Sequence, residues 1–302
     1  MAKKILITGA SGLIGSRLTE LLLQKGFKVS HLGRTQRMGQ VPSYVWSVEK
    51  GTIDPHALTD VDCILNLAGA GVADKRWTSA RKKEILDSRI QSTALLYHEL
   101  KKSNHRVKSF ISASAIGYYG LETGESWVTE TNGAGTDFLA QVVKQWEEEA
   151  EKINSLGVRV VKLRIGIVLS EKGGALKSMA APIRWGFGAV LGNGKQYLSW
   201  IHIDDLCALV IKAVEDDAMN GVYNAVGTQP VTNCELTKAI AKILKKPLWL
   251  PAVPSFVLKL ILGEMADLVI YGSKVSSVRM QETGFQHQFT ELEVALKNLY
   301  QF

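Results

Sequence analysis

The chain lacks the features of a disulfide-rich or membrane-spanning protein. It has three cysteines in 302 residues, and Cys63, Cys207 and Cys234 lie in apolar contexts without a CxxC pair. This pattern indicates buried core thiols in a reducing compartment. No apolar run reaches about 18 residues, the length that spans a bilayer. The N-terminus has two lysines and then a strand, unlike a secretory signal. We therefore expect a cytoplasmic protein with no membrane partner.

The sequence also lacks a metal-ligand pattern and a concentrated basic run. The six histidines show no metal-ligand spacing, so we expect no metal site. The formal net charge is +7, but basic pairs such as Lys82-Lys83 and Lys101-Lys102 are scattered and suit helix surfaces and helix ends. We therefore expect no nucleic-acid partner. The positive charge suits an anionic cofactor and a small-molecule substrate that is anionic or nucleotide-linked. Monomer and homodimer both stay open.

Strands and helices alternate along the front half of the chain. We predict strands at 4–7, 28–32, 44–48, 63–67, 109–112 and 159–164, with helices at 12–24, 78–102 and 138–155. Apolar strands alternating with helices indicate an α/β fold, a Rossmann-like doubly wound parallel sheet covered on both faces. The alternation fades after Arg164. We expect residues 1–170 to form the dinucleotide-binding domain, with 196–230 returning to it, and 171–195 and 231–302 to form a smaller C-terminal substrate lobe.

A glycine-rich turn follows the first apolar strand directly. Glycines at this spacing let the backbone turn tightly, approach a pyrophosphate and pack the next helix against the sheet. The helix would point its N-terminal amides at the phosphates. A tight turn without a ligand is the alternative. We predict cofactor contacts from Gly9, Ser11, Gly12, Leu13, Ile14 and Gly15.

The end of the second strand distinguishes two dinucleotides. A site for NAD carries an Asp or Glu there to bind the ribose hydroxyls. This chain has Gly33, Arg34 and Thr35 and no carboxylate. Arg34 can form a forked, charge-assisted pair with a 2′-phosphate, and Thr35 adds a hydroxyl. The alternative is that Arg34 and Arg37 are ordinary surface charges. We favour NADP(H).

The ends of two further strands carry the other candidate site residues. Small residues in the segment Asn66-Leu67-Ala68-Gly69-Ala70-Gly71 would admit the adenosine or ribose side of the cofactor, with contacts predicted from Leu67, Ala68 and Gly69. Ser112 and Ala113 end the fifth strand beside it. Ser114, Tyr118 and Tyr119 would lie beside the nicotinamide. A serine hydroxyl can bind a substrate oxygen, and a tyrosine can move a proton where a cation lowers its pKa. A strand-end turn with packing aromatics is the alternative.

Together these segments resemble the extended short-chain dehydrogenase/reductases, the NAD(P)-dependent sugar epimerase/dehydratase group. The resemblance covers the whole chain, including segments 163–169 and 199–206. It is closest to an atypical branch labelled "epimerase family protein", whose features include residues 73–78, Ser88-Arg89 and residues 263–266. It implies cofactor contacts at Arg164 and at Arg89, where the wider family often has Asn.

The chain departs from that family at its catalytic pair, a Tyr followed four residues later by a Lys. The corresponding positions fall near Phe138 and Val142, and Lys144 lies about 200° around the helix from Val142. Either Tyr118 or Tyr119 moves the proton, with Ser114 orienting the substrate, or no such chemistry happens. One hypothesis is therefore an NADP-dependent oxidoreductase or nucleotide-sugar epimerase of unknown substrate. The alternative is a catalytically inactive NADP(H)-binding sensor or regulatory protein.

Four other residues have two interpretations each. Lys75 and Arg76 either supply positive charge over the site or belong to a solvated loop. Glu130 either works as an acid or base or is a surface turn carboxylate. His202 is either a core or cap-linked histidine, which we favour, or a catalytic one. Asp204 or Asp205 is expected to cap the helix that follows.

Overall fold

The fold is built on a large parallel sheet, seen in a computed structural model that describes residues 2–300. In chain order the strands are β1 Lys4–Thr8, β2 Lys28–Gly33, β3 Ser43–Ser47, β4 Thr52–Ile53, β5 Cys63–Asn66, β6 Ser109–Ala115, β7 Trp127–Val128, β8 Arg159–Ile165, β9 Ile167–Leu169, β10 Tyr197–Leu198, β11 Trp200–His202, β12 Gly221–Ala225, β13 Val231–Thr232 and β14 Lys274–Val275. Eight of them form the main sheet, in the order β12-β8-β6-β5-β1-β2-β3-β4. All neighbours in it are parallel except β3 and β4.

The order of the strands locates the crevice where a ligand binds in such sheets. From β1 the chain moves outward through β2, β3 and β4, and then crosses back to β5 on the other side of β1. The carboxyl ends of β1 and β5 therefore flank the topological switch point. Gly9 follows β1 and Leu67 follows β5, so two predicted cofactor-binding segments lie at this point.

Helices cover both faces of the sheet. They are α1 Leu13–Gln24, α2 Ser79–Lys102, α3 Phe138–Glu151, α4 Gly174–Arg184, α5 Ile203–Glu215, α6 Asn233–Ile243, α7 Ser255–Leu262, α8 Asp267–Ile270, α9 Val278–Glu282 and α10 Leu292–Tyr300. Successive residues of β1 enter different cores, with Ile5 and Ile7 in one and Leu6 in the other. This two-residue period buries both faces and explains why the strand is continuously apolar. The predicted Rossmann-like α/β fold is confirmed.

The later segments add short strand pairs around the main sheet. β12 returns to pair in parallel with β8, while β9 pairs with β11, β10 with β13 and β7 with β14. The proposed division into a 1–170 domain and a smaller lobe stays a prediction. No helix within residues 2–300 has the length and apolar character needed to cross a bilayer.

Two local expectations require correction. The helix predicted over 138–155 ends at Glu151, and a 3-10 helix, Lys152–Leu156, continues to Gly157, whose φ is +75°. The helix α5 begins at Ile203, so neither Asp204 nor Asp205 is its cap. The cap is His202, whose Nδ1 accepts a hydrogen bond from the Asp204 N–H. The interpretation of His202 as a cap-linked histidine is confirmed.

Candidate functional site

The β1–α1 loop is shaped by close contact between backbones. Gly9 has a φ of +67°, and a Cβ on it would lie 2.7 Å from the Leu67 carbonyl oxygen. A Cβ on Gly15 would lie 2.5 Å from the Gly9 carbonyl oxygen. The Gly12 N–H donates to that same oxygen at 3.0 Å. The loop therefore requires glycine at positions 9 and 15 for its own packing, and it opens toward the crevice.

The start of α1 has the features of an anion-binding helix N-terminus. Its N-cap, Gly12, makes no side-chain hydrogen bond, and the first turn contains no acidic residue. The first amides of a helix, here those of Leu13 and Ile14, have no carbonyl partner within the helix. The positive end of the helix dipole is therefore uncompensated, which is the arrangement that binds phosphate. Ser11 is exposed beside this turn.

A buried threonine connects the ends of β1 and β5. The Thr8 hydroxyl accepts hydrogen bonds from the N–H groups of Leu67 and Ala68, at 3.0 and 3.2 Å, and donates to Asn66 Oδ1 at 2.9 Å. These bonds hold the segment Leu67-Ala68-Gly69 beside Gly9. Gly69 itself is exposed at the crevice.

The end of β6 lies deeper than the ends of β1 and β5. Ser112 is 1% exposed, and its hydroxyl donates to the Ala113 carbonyl at 2.9 Å. Asn66 Nδ2 donates to the Ser112 hydroxyl at 3.4 Å. Ser112 therefore belongs to the hydrogen-bonded layer beneath the crevice, while Ala113 is half-buried. Their predicted cofactor contacts stay a prediction.

Arg34 and Thr35 are exposed where the chain leaves β2. Arg34 forms no hydrogen bond or ion pair within residues 2–300. Its charge and that of Lys75 help to lower the pKa of Glu84, although the main cause is the hydrogen bond from Arg81. Arg34 is thus an exposed cation whose charge acts on the Glu84 carboxylate without a direct ion pair.

Arg89 is a half-buried cation without a carboxylate partner in the described part of the chain. Its Nη1 donates to the carbonyls of Ala70 and Ile85, at 3.0 and 2.9 Å, and the guanidinium lies 5.2 Å from the ring centre of Trp146. Burial, with the nearby charge of Arg81, lowers the pKa of Arg89 to about 10. A desolvated cation with no counter-ion is stabilised by an anionic ligand.

The predicted residues Ser114 and Arg164 meet at a buried carboxylate. Arg164 Nε and Nη2 each donate to Glu147 at 2.8 Å, one to each carboxylate oxygen, and the Ser114 hydroxyl donates to Glu147 Oε1 at 2.5 Å. Ser114 and Arg164 are each 3% exposed. Burial alone would lower the pKa of Arg164, but Glu147 holds that pKa above its usual value. The hydroxyl and the guanidinium are thus both bound to a protein group.

The two adjacent tyrosines have different surroundings. Tyr119 is buried, and its hydroxyl accepts from Arg164 Nη1 at 3.0 Å and donates to Asn224 Oδ1 at 2.6 Å. Burial raises the pKa of Tyr119, against the opposing effect of Arg164. Tyr118 is half-buried, and the Arg164 guanidinium stacks 3.4 Å from its ring centre. Of these two phenols, Tyr118 is the one with no hydrogen-bond partner within residues 2–300.

The positions of the expected Tyr and Lys are occupied by packing residues. Phe138 is the first residue of α3 and contacts Trp77 edge to face, with ring centres 5.3 Å apart. Val142 is 2% exposed. Lys144 is exposed to solvent, as its position around the helix predicts. None of these three residues places a phenol or an ammonium at the crevice.

Two segments that are far apart in sequence meet beside α2. The Arg76 guanidinium lies against Gly263, where an added Cβ would be 3.0 Å from Nη2, and Lys82 forms an ion pair with Glu264. Lys75 and Arg76 are exposed. Glu130 accepts a hydrogen bond from the Asn224 N–H at 2.7 Å, so its carboxylate already has a structural partner.

Sequence reasoning missed Glu147 and Asn224. A signal for Glu147 is present, because it follows Ala140 and Val143 on the apolar stripe of α3, where a carboxylate is out of place unless it is paired. Asn224 lies in a short strand whose sequence does not mark it as a buried hydrogen-bond acceptor. Its partner is the hydroxyl of Tyr119, more than a hundred residues earlier in the chain.

Comparison with known proteins agrees with this geometry. The NAD dependent epimerase/dehydratase family matches residues 5–225, and a domain of unknown function (DUF1731) matches residues 253–299. An epimerase family protein of Mycobacterium bovis, Mb2239, is 38% identical over 293 residues, which cover 97% of this chain and 96% of the relative.

Two solved structures are similar along nearly the whole chain. Human epimerase family protein SDR39U1, solved with NADPH, has a TM-score of 0.85 and 29% identity, covering 99% of both chains. A nucleoside-diphosphate sugar epimerase of Corynebacterium glutamicum has a TM-score of 0.80 and 27% identity, covering 98% of this chain and 58% of that longer one. This chain belongs to the NAD dependent epimerase/dehydratase family, within the extended short-chain dehydrogenase/reductases.

Proposed function

We propose that this protein binds NADP(H) at the crevice between β1 and β5. The observation that carries the proposal is the combination of an uncompensated helix start at Gly12 with a free guanidinium at Arg34, where an NAD site has a carboxylate. The similarity to the human relative solved with NADPH supports the same cofactor.

Each part of the cofactor has residues suited to hold it. The amides of Leu13 and Ile14, with the Ser11 hydroxyl, suit the pyrophosphate, and Arg34 with Thr35 suits the 2′-phosphate. Arg89 offers a further cation for a phosphate. Strands lie about 4.8 Å apart, so the ends of β2 and β6, three strands apart, are separated by about 14 Å. With Arg34 beside the 2′-phosphate, we infer that the adenosine end lies at β2 and the nicotinamide end at β6.

The protein is then an oxidoreductase or a nucleotide-sugar epimerase-type enzyme, with Tyr118 moving the proton. Bound NADP(H) supplies hydride transfer. Tyr118 is the phenol whose hydroxyl is not engaged by the protein, and stacking on Arg164 fixes its ring. Ser114 and Tyr119 are reassigned to positioning, because Glu147, Arg164 and Asn224 already bind their hydroxyls. The C. glutamicum relative supports a nucleotide-linked substrate class.

A second function, an NADP(H)-binding sensor without turnover, is favoured by a separate observation. Phe138 and Val142 occupy the positions of the usual catalytic Tyr and Lys, and Lys144 faces solvent. The fold supports cofactor binding without fixing catalysis.

Oxidation of NADPH by the purified protein distinguishes the two functions. The protein is titrated with NADPH and mixed with a panel of carbonyl compounds. In a second series it is loaded with NADP+ and mixed with nucleotide sugars, and NADP+ reduction and epimer formation are followed. Substrate-dependent oxidation that Tyr118→Phe abolishes supports the enzyme. Tight binding with no NADPH oxidation, no NADP+ reduction and no epimer formation with any panel member supports the sensor, and failure to bind NADPH contradicts both functions.

A further inference from the structure

Exposed apolar side chains are concentrated on one part of the molecule. Twelve large hydrophobic residues are exposed within residues 2–300, and half of them come from two segments, 185–187 and 249–261. These six residues, named here the apolar face, are Trp185, Phe187, Trp249, Phe256, Leu260 and Ile261. Their exposed fractions run from 62 to 81%, so they protrude and do not line a closed cavity.

Hydrogen bonds join the two segments into one surface. Trp249 Nε1 donates to the Gly186 carbonyl at 3.0 Å, which brings its indole to the segment 185–187. Further along, the Val253 N–H donates to the Val190 carbonyl at 2.8 Å. The helix α7 begins two residues later and carries the rest of the face.

In α7, apolar residues and a lysine share the exposed side. Phe256 and Leu260 are one turn apart, and Lys259 lies beside them on the same side. Only Leu258 of this helix is buried. A long lysine side chain can lay its methylenes along an apolar surface and keep its ammonium in a polar layer.

The positive charge of the chain is concentrated in the same segments. Residues 172–203 and 236–263 contain no Asp or Glu and nine basic residues, which leaves 27 basic and 29 acidic residues in the rest of the chain. The excess of cations thus belongs entirely to these two segments. Arg184 directly precedes Trp185, and Lys246 lies three residues before Trp249. Arg184 and Lys246 are thus close in sequence to residues of the apolar face, and Lys259 lies on it.

We propose that the apolar face docks on the surface of an anionic membrane. Tryptophan, phenylalanine and leucine beside lysines are the side chains that insert at the headgroup level of anionic bilayers. A second copy of the chain would be a worse occupant, because its own lysines would face those of the first. Docking on a bilayer surface does not require an apolar segment of bilayer-spanning length. The proposal does not depend on the cofactor.

Co-sedimentation with vesicles tests this proposal. The full chain is mixed with phosphatidylcholine vesicles, or with vesicles that also contain an equal amount of phosphatidylglycerol. We expect binding only to the anionic vesicles, weakened by salt. Phe256→Ser with Leu260→Ser should lower the partition constant about tenfold or more, and Lys246→Ala with Lys259→Ala by a similar factor.

Matched variants control for loss of folding. Met38→Ser with Val45→Ser removes exposed apolar groups elsewhere, and Lys101→Ala with Lys102→Ala removes exposed cations elsewhere. Both controls should bind as the unaltered chain does, and circular dichroism should be equal for all variants. Binding to neither vesicle, or equal binding by all variants, overturns the proposal. A dimer in sedimentation equilibrium that Phe256→Ser with Leu260→Ser dissociates would assign the face to a second copy and overturn it too.

Discussion

Glu147 accepts two hydrogen bonds from Arg164, one on each carboxylate oxygen and both 2.8 Å long. The pair joins α3 to β8 in a region where both side chains are nearly excluded from solvent. The remaining contacts of Arg164 reach Tyr119 through a hydrogen bond and Tyr118 through its ring face. This one ion pair therefore fixes the side chains at the end of β6 where chemistry is proposed.

Removing the charge of Glu147 should destabilise the fold. Glu147→Gln leaves Arg164 buried without a counter-ion, and we expect a loss of about 3–5 kcal/mol in the free energy of unfolding. Glu148→Gln, at the exposed next position of α3, should change it by less than about 0.5 kcal/mol. Denaturant unfolding measures both. Equal small changes would show that the ion pair does not support the structure.

Exchanging each tyrosine for phenylalanine should separate chemistry from positioning. Tyr118→Phe should lower turnover by about 10²-fold or more with unchanged NADPH affinity, because it removes the proton-moving hydroxyl. Tyr119→Phe should cost about 1–3 kcal/mol of stability, because Arg164 and Asn224 lose a buried partner. Initial rates, NADPH titration and denaturant unfolding give the three readouts. Full turnover by Tyr118→Phe would remove that residue from the mechanism.

His202 should make stability depend on pH. Burial, only partly opposed by the charges of Asp204 and Asp205, lowers its pKa from 6.5. As pH falls, the His202 imidazole is therefore protonated in the unfolded chain before it is protonated in the folded chain. The stability that the neutral imidazole contributes is complete above pH 6.5 and is lost as pH falls from there through the lowered pKa. His202→Asn keeps a capping side chain but does not titrate.

Comparing the original chain with His202→Asn isolates the effect of His202 titration on stability. Below pH 6.5 the original chain should lose up to about 1.4 kcal/mol per pH unit relative to His202→Asn. Denaturant unfolding across a pH series measures the difference. A difference that stays constant with pH would show that His202 does not titrate differently on folding.

The sheet and the β1–α1 loop could be predicted because their signals are local. Apolar strands, a glycine spacing and the missing carboxylate near Arg34 all lie within short stretches of the chain. The network beneath Tyr118 could not be derived in this way. Ser114, Glu147 and Arg164 come from three elements, and only their packing shows that one carboxylate binds the other two.

The different surroundings of Tyr118 and Tyr119 also could not be predicted from the sequence. The two residues are neighbours, and the 3-10 turn Ile116–Tyr119 sends one phenol inward to Asn224 and leaves the other half-buried. The contact of Arg76 with Gly263 depends in the same way on the placement of the C-terminal segments.

Calorimetric titration of the unaltered chain and of Arg34→Ala, with NADPH and with NADH, tests the proposed cofactor directly. If Arg34 binds the 2′-phosphate, Arg34→Ala should weaken NADPH binding by about 10- to 100-fold and NADH binding by less than about twofold. Arg37→Ala, a neighbouring exposed cation, is the matched control and should change neither greatly. Equal losses for NADPH and NADH, or no loss for NADPH, would contradict the assignment of this crevice to NADP(H).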